Sequence, residues 1–190
     1  MSNRYIEEEV FEDIDFKINM LSRGEYEYCK FINCDFSNTV ISYNKFIECE
    51  FINCNLSMAE LIETSFRDVK FKDCKMIGLK FDDCNEFGLD FLFENCILNY
   101  SSFYQMEIKK TTFKNSQLHE VDFTECNLHS SIFDNCDLNM ARFVDSIIEY
   151  ANFMTSYNYS IDLELNKIRK AKFSLLGLAG LLDKYDIDIN

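Results

Sequence analysis

The chain has 190 residues, a formal net charge of −14 and a pI near 4.5, with 19 Phe, nine Cys, five Gly and no Pro. That length suits one domain with a sizeable core. The acidic balance argues against direct binding to nucleic acid or to an anionic membrane surface, both of which draw on Lys and Arg. No run approaches eighteen apolar residues and the first ten form no apolar leader, so a cytoplasmic protein without membrane association is expected.

Glu7, Glu8 and Glu9 stand beside the first rung of a repeat, where charge discourages end-to-end stacking. From there Phe11, Phe31, Phe51, Phe71, Phe93, Phe113, Phe133 and Phe153 recur every 20 residues, with a step of 22 between Phe71 and Phe93. Every fifth residue between these rungs is also large and apolar, as in Phe36, Ile41 and Phe46 or Leu98, Phe103 and Ile108. Neither an α-helix (3.6) nor a strand (2) has that period. A coil of stacked rungs with four inward residues per turn has it. Sixteen of the 19 phenylalanines occupy these inward centres. The fold class expected is all-β, a four-sided coil of about eight turns over residues 1–156, followed by a tail over 157–190. Two extra residues enter within Asp82–Leu92, where a bulge is predicted, with Phe87 filling the missing rung and Gly88 helping the chain bend.

Cys29, Cys34, Cys49, Cys54, Cys74, Cys84, Cys96, Cys126 and Cys136 stand two residues before a centre position, in a slot shared with Ser, Thr, Ala and Val. They form no C-x2-C spacing, so they are read as small packed hydrophobes, and neither a metal nor a cofactor is expected. Asn33, Asn53, Asp73, Asn95, Asn115 and Asn135 follow the centres of one side by two and predict a column of type II turns.

Units such as Cys34-Asp35-Phe36, Cys54-Asn55-Leu56 and Cys136-Asp137-Leu138 resemble the pentapeptide-repeat family over about residues 11–156. The resemblance implies a right-handed quadrilateral β-helix. Ile161-Asp162, Asn166-Lys167, Lys170 to Ser174 and Leu181-Leu182 further resemble the ending of quinolone-resistance (Qnr-like) members, although Leu163 stands where those endings often have Pro. Ser174 is a candidate N-cap for an α-helix over Leu175–Tyr185. Leu175, Leu176, Leu178, Leu181 and Leu182 would give it an apolar surface for a homodimer, as in similar Qnr-like proteins, or a cap for the last coil.

No phosphate loop, nucleophile elbow or metalloprotease motif is present, and His119 and His129 fall on opposite sides of a turn, so no enzyme is expected. Residues 115–156 carry seven acids, Glu120, Asp122, Glu125, Asp134, Asp137, Asp145 and Glu149, against Arg142 alone. Glu63, Asp83, Glu125 and Asp145 also share a column interrupted by Gln105. Such charge either serves as a solvated surface that keeps a rod soluble or suits a basic groove built for duplex DNA. The family resemblance implies a type II topoisomerase, gyrase or topoisomerase IV, as the partner, with protection from quinolones. The alternative is a scaffolding module that uses an apolar patch of Ile32, Ile47, Ile52, Ile62 and Ile77.

Overall fold

The computed structural model describes residues 4–188. The period of five becomes a rectangular coil because each centre is flanked by one outward residue on either side and a corner residue follows. Corner backbones are left-handed at ordinary residues, among them Asn33 (φ 54°), Glu63 (φ 54°) and Asp145 (φ 54°). That conformation is disfavoured for L-residues. Here it is offset by the ladder, since each corner N–H donates to the next turn, as Asn33 does to the Ile52 carbonyl at 3.0 Å.

We number the sides from Phe11. Side 1 carries β2 (Val10–Glu12), β4 (Lys30–Ile32), β6 (Glu50–Ile52), β8 (Val69–Lys72), β9 (Phe91–Glu94), β10 (Thr112–Lys114) and β11 (Ile132–Asp134), one seven-stranded parallel sheet. Side 4 carries β1 (Arg4–Glu7), β3 (Gly24–Glu27), β5 (Lys45–Ile47) and β7 (Ser65–Arg67), also parallel. Sides 2 and 3 are held by single parallel bridges, such as Asp35 with Asn55 on side 2 and Ser102 with Asp122 on side 3. The eight rungs from Phe11 to Phe153 therefore enclose seven turns.

Inside, the rings stack. Phe31 and Phe51 lie 4.7 Å apart at 11°, Phe113 and Phe133 5.0 Å apart at 9°. Neighbouring sides meet edge-on, as Phe113 does with Phe123 at 78°. Stacked and edge-on pairs are the arrangements the ring quadrupole favours. All nine cysteines are free and buried among these rings. Cys54 donates to the carbonyls of Phe31 (3.3 Å) and Ile52 (3.4 Å). Burial pushes the Cys49 and Cys136 thiols up to about 12.

Three sequence expectations are corrected. Phe87 does not fill the missing rung: it is 74% exposed beside the Arg67 guanidinium, 5.0 Å from its ring, and Phe91 (3% exposed) takes the interior place. The chain makes a 3-10 turn at Phe81–Asp83 and leaves the coil, returning where Val69 donates to the Asp90 carbonyl at 3.0 Å. Two apolar residues competed for one site, and the extra length let the later one reach it. Gly88 does adopt a left-handed backbone there (φ 72°).

Second, the Asn column is left-handed but is a column of bends without the hydrogen bond of a type II turn; the hydrogen-bonded turns lie at other corners, such as Thr39 N–H to the Phe36 carbonyl. The Asn side chains instead bond along the column, Asn53 to Asn33 at 2.8 Å and Asn135 to Asn115 at 2.9 Å. Third, the tail helix is 3-10 rather than α, over Leu175–Leu181 and Asp183–Tyr185. Ser174 caps it, accepting from Gly177 N–H at 3.1 Å. A Cβ on Gly177 would lie 1.9 Å from the Tyr159 hydroxyl, and one on Gly180 1.8 Å from the Tyr159 carbonyl. The glycines thus let the tail lie flat against the coil, where Ile161 N–H reaches the Gly180 carbonyl at 2.9 Å.

Candidate interaction surface

A filled coil offers side faces and ends, not an interior site. No helix among the described residues is long and apolar enough to cross a membrane. The charge is distributed unequally among the four sides.

On side 1 Glu50 and Glu94 are neutralised in the ladder. Lys30 lies 3.0 Å and Lys70 3.9 Å from Glu50, and Lys114 lies 2.9 Å from Glu94. In-register stacking places these residues one above another, so alternating sign gives attraction at these rungs. Side 3 and its corners differ. Glu60 and Asp122 flank its centres, Asp82 and Asp83 sit on its 3-10 turn, Glu120 holds one corner, and Glu63, Glu125 and Asp145 hold the other. None of these eight carboxylates enters an ion pair among the described residues, and only Lys80 and Arg142 interrupt them on this side. Glu125 accepts from the Gln105 amide at 2.8 Å, and Asp122 accepts from its own turn at Thr124 N–H, 2.9 Å. Neutral donors of this kind fix the carboxylates and leave their charge in place.

Of the seven acids singled out in the sequence, Glu120, Asp122, Glu125 and Asp145 converge on side 3. Asp134 lies on side 1 and accepts from Thr155 Oγ1 at 2.9 Å; Glu149 lies on side 4. Asp137 lies on side 2, 2.9 Å from His119 Nε2, and accepts from Asn158 at 2.8 Å. Burial raises its pKa, but the Asn158 amide and His119 outweigh that and hold the carboxyl below its usual value. Glu63 and Asp83 join them from the column read in the sequence, and Glu60 and Asp82 are the additions. Period-20 counting across the two-residue insertion is the signal that finds them. Asp162 and Glu164 continue the side, but Lys184 bridges them at 2.8 Å each.

The candidate isoleucines do not form one patch. Ile32 and Ile52 lie on side 1, Ile47 on side 4, Ile62 on side 3 and Ile77 on side 2, and only Ile62 is exposed among them. Of the tail leucines, Leu175 (86%), Leu176 (97%) and Leu178 face solvent, Leu182 is half-buried, and Leu181 (7%) is packed on the coil end, outside the outward set.

Solved structures share this architecture. A trypsin-treated variant of QnrB1, described as a plasmid-mediated fluoroquinolone resistance protein, aligns with a TM-score of 0.71 at 18% identity, covering 98% of this chain and 92% of that one. A second QnrB1 variant gives 0.59 at 16% identity, over 98% and 100%. HetL, a pentapeptide repeat protein involved in heterocyst differentiation regulation from the cyanobacterium Nostoc, gives 0.57 at 12% identity, over 91% and 89%. At such identities the likeness is one of fold. No curated protein matches by sequence. The profile of the pentapeptide repeat region matches residues 25–92 and 89–173, and with these coils in a right-handed quadrilateral β-helix, the chain belongs to the pentapeptide-repeat family.

Proposed function

We propose that this is a non-enzymatic binding protein whose side 3 occupies a basic, duplex-shaped groove on a type II topoisomerase, gyrase or topoisomerase IV, in the manner of a DNA mimic, and shields it from quinolones. The observation that carries the reading is the run of eight carboxylates on one side of the coil without cationic partners among the described residues. The fluoroquinolone-resistance description of QnrB1, which shares the fold, supports the choice of target. Seven turns at about 4.8 Å make roughly 34 Å of rod. Duplex DNA of that length carries on the order of 20 phosphate charges. Side 3 supplies less than half of these, so the fit relies on shape as well as charge. Leu175, Leu176 and Leu178 are proposed to contact a second copy of the chain.

The test is a supercoiling assay with purified gyrase, with and without ciprofloxacin. Protein at micromolar concentration is expected to inhibit supercoiling or to rescue it from the drug; neither effect at that concentration would remove the reading.

A further inference from the structure

The two ends of the coil are unlike, and they complement each other. At the last turn the tail covers sides 2 and 3, where Gly177 and Gly180 lie on Tyr159, and its described residues pair with neither side 4 nor side 1. There the N–H groups of Ile168, Lys170 and Phe173 and the carbonyls of Asn166 and Ala171 have no backbone partner among the described residues. One turn earlier the equivalent groups are paired: Ile148 N–H with the Lys167 carbonyl (2.9 Å), Tyr150 N–H with Arg169 (2.9 Å), and Phe153 N–H with Lys172 (2.8 Å). Ile168 and Phe173 are only partly buried, whereas Ile148 and Phe153 are fully buried. Lys167, Arg169, Lys170 and Lys172 line this open edge, exposed and outside every ion pair among the described residues.

At the first turn β1 and β2 lie on the same two sides, 4 and 1, each paired along one edge only. Their centres, Ile6 and Phe11, are five residues apart, as Ile168 and Phe173 are, and are likewise partly buried. Exposed Glu7, Glu8, Glu9 and Glu12 surround them. On sides 2 and 3 of this end, exposed Ile18, Met20 and Val40 adjoin a groove of about 230 Å³ floored by Phe16, Leu21 and Ile41.

We propose that the first turn of one copy docks on the last turn of another, head to tail, so that the β-helix continues across the junction. Ile6 of the second copy stacks over Ile168, and its Phe11 over Phe173. Glu7 and Glu8 then fall beside Arg169 and Lys170, and the unpaired backbone edges complete each other's ladders. Leu175, Leu176 and Leu178 of the tail meet the apolar groove of the second copy's first turn. This rests on the leucines contacting another copy, as proposed above, and sets the opposite end as their partner surface in place of the symmetric homodimer that the family resemblance implies. Charge selects the arrangement: the glutamates expected from the sequence to discourage end-to-end stacking do so only between like ends, since two first turns would oppose glutamates with glutamates and two last turns would oppose Lys167, Arg169, Lys170 and Lys172 with their own copies. The contact is heterologous and builds an open series rather than a closed pair.

Sedimentation velocity over about 1–200 μM at low salt tests it. Species heavier than two copies of the 22.5 kDa chain are expected, with Kd rising at least tenfold when salt is raised to several hundred millimolar. Reversing the last edge (K167E/R169E/K170E) or the first (E7K/E8K/E9K) should leave each variant monomeric, and an equimolar mixture of the two should assemble again, which also shows that both are folded. A wild type that stays monomeric, assembly that stops at two copies, or a mixture that fails to assemble would overturn the proposal. The supercoiling result does not bear on it, because side 3 is unaltered in both variants.

Discussion

Replacing Phe91 by Ala should be far more damaging than the same change at Phe87, although the two are four residues apart in one bulge. The Phe91 ring is buried against Phe66 (5.8 Å between centroids), Phe81 (5.4 Å) and Phe93 (5.4 Å). Removing it takes the ring out of the core and leaves a cavity between two sheets whose backbones are locked by their ladders, so the site collapses poorly. Large-to-small changes of this kind cost about 3–5 kcal/mol. For a chain of this length that corresponds to a melting temperature lower by roughly 6–20 °C, at about 2–4 °C per kcal/mol. Phe87 is solvent-exposed, and its one specific contact is the Arg67 guanidinium over its ring. Losing an exposed contact of that type costs about 0.5–1 kcal/mol. Thermal unfolding followed by circular dichroism, with both variants side by side, measures the difference. Equal destabilisation, or a larger loss at Phe87, would refute the assignment of the missing rung.

Asn166 is buried and joins three groups, accepting from Ser146 N–H (2.9 Å) and donating to the carbonyls of Phe143 (2.9 Å) and Asp162 (2.8 Å). Asn166→Ala should cost about 1–3 kcal/mol for each group left buried without a partner, read from denaturant midpoints. The nine thiols are buried out of reach of solvent, so native protein at pH 8 should resist a thiol reagent, with all nine reacting once guanidinium is added. Rapid labelling of the native state would contradict the packing. The Asp137 carboxyl has a lowered pKa in the folded state, so its contribution is present above the unfolded value near 3.8 and is lost as pH falls through the folded value. Asp137→Asn should therefore reduce stability at pH 7 and converge with wild type in strong acid.

Most of the fold was legible because its period is its own signature. Inward residues every five positions and equivalent residues every twenty admit one architecture, and the ring stacks realise it rung by rung, ending with Phe153 on Phe173 at 5.3 Å. The bulge was legible in place but not in content, since once the register slips by two, Phe87 and Phe91 are equally apolar and only packing separates them. The tail was read as α-helical from its leucines and its cap. The 3-10 form follows from the close approach of Gly177 and Gly180 to Tyr159, a contact between turns that no local pattern contains. For the candidate surface, chain-order counting collected acids from all four sides of residues 115–156. The informative grouping is by side: side 1 pairs Glu50 and Glu94 with Lys, while side 3 leaves its eight carboxylates without a cation among the described residues. That distinction needs the register across the insertion and the ion-pair distances.

The central claim, that side 3 stands in for duplex DNA on a topoisomerase, is tested most directly by competition. A labelled duplex is bound to purified gyrase, and its fluorescence anisotropy is followed as the protein is added. Wild-type protein should displace the duplex at micromolar concentration, and a variant with Glu120, Asp122, Glu125 and Asp145 changed to Lys should not, although the two melt alike. Undisturbed anisotropy with wild type, or equal displacement by the reversed variant, would contradict the account.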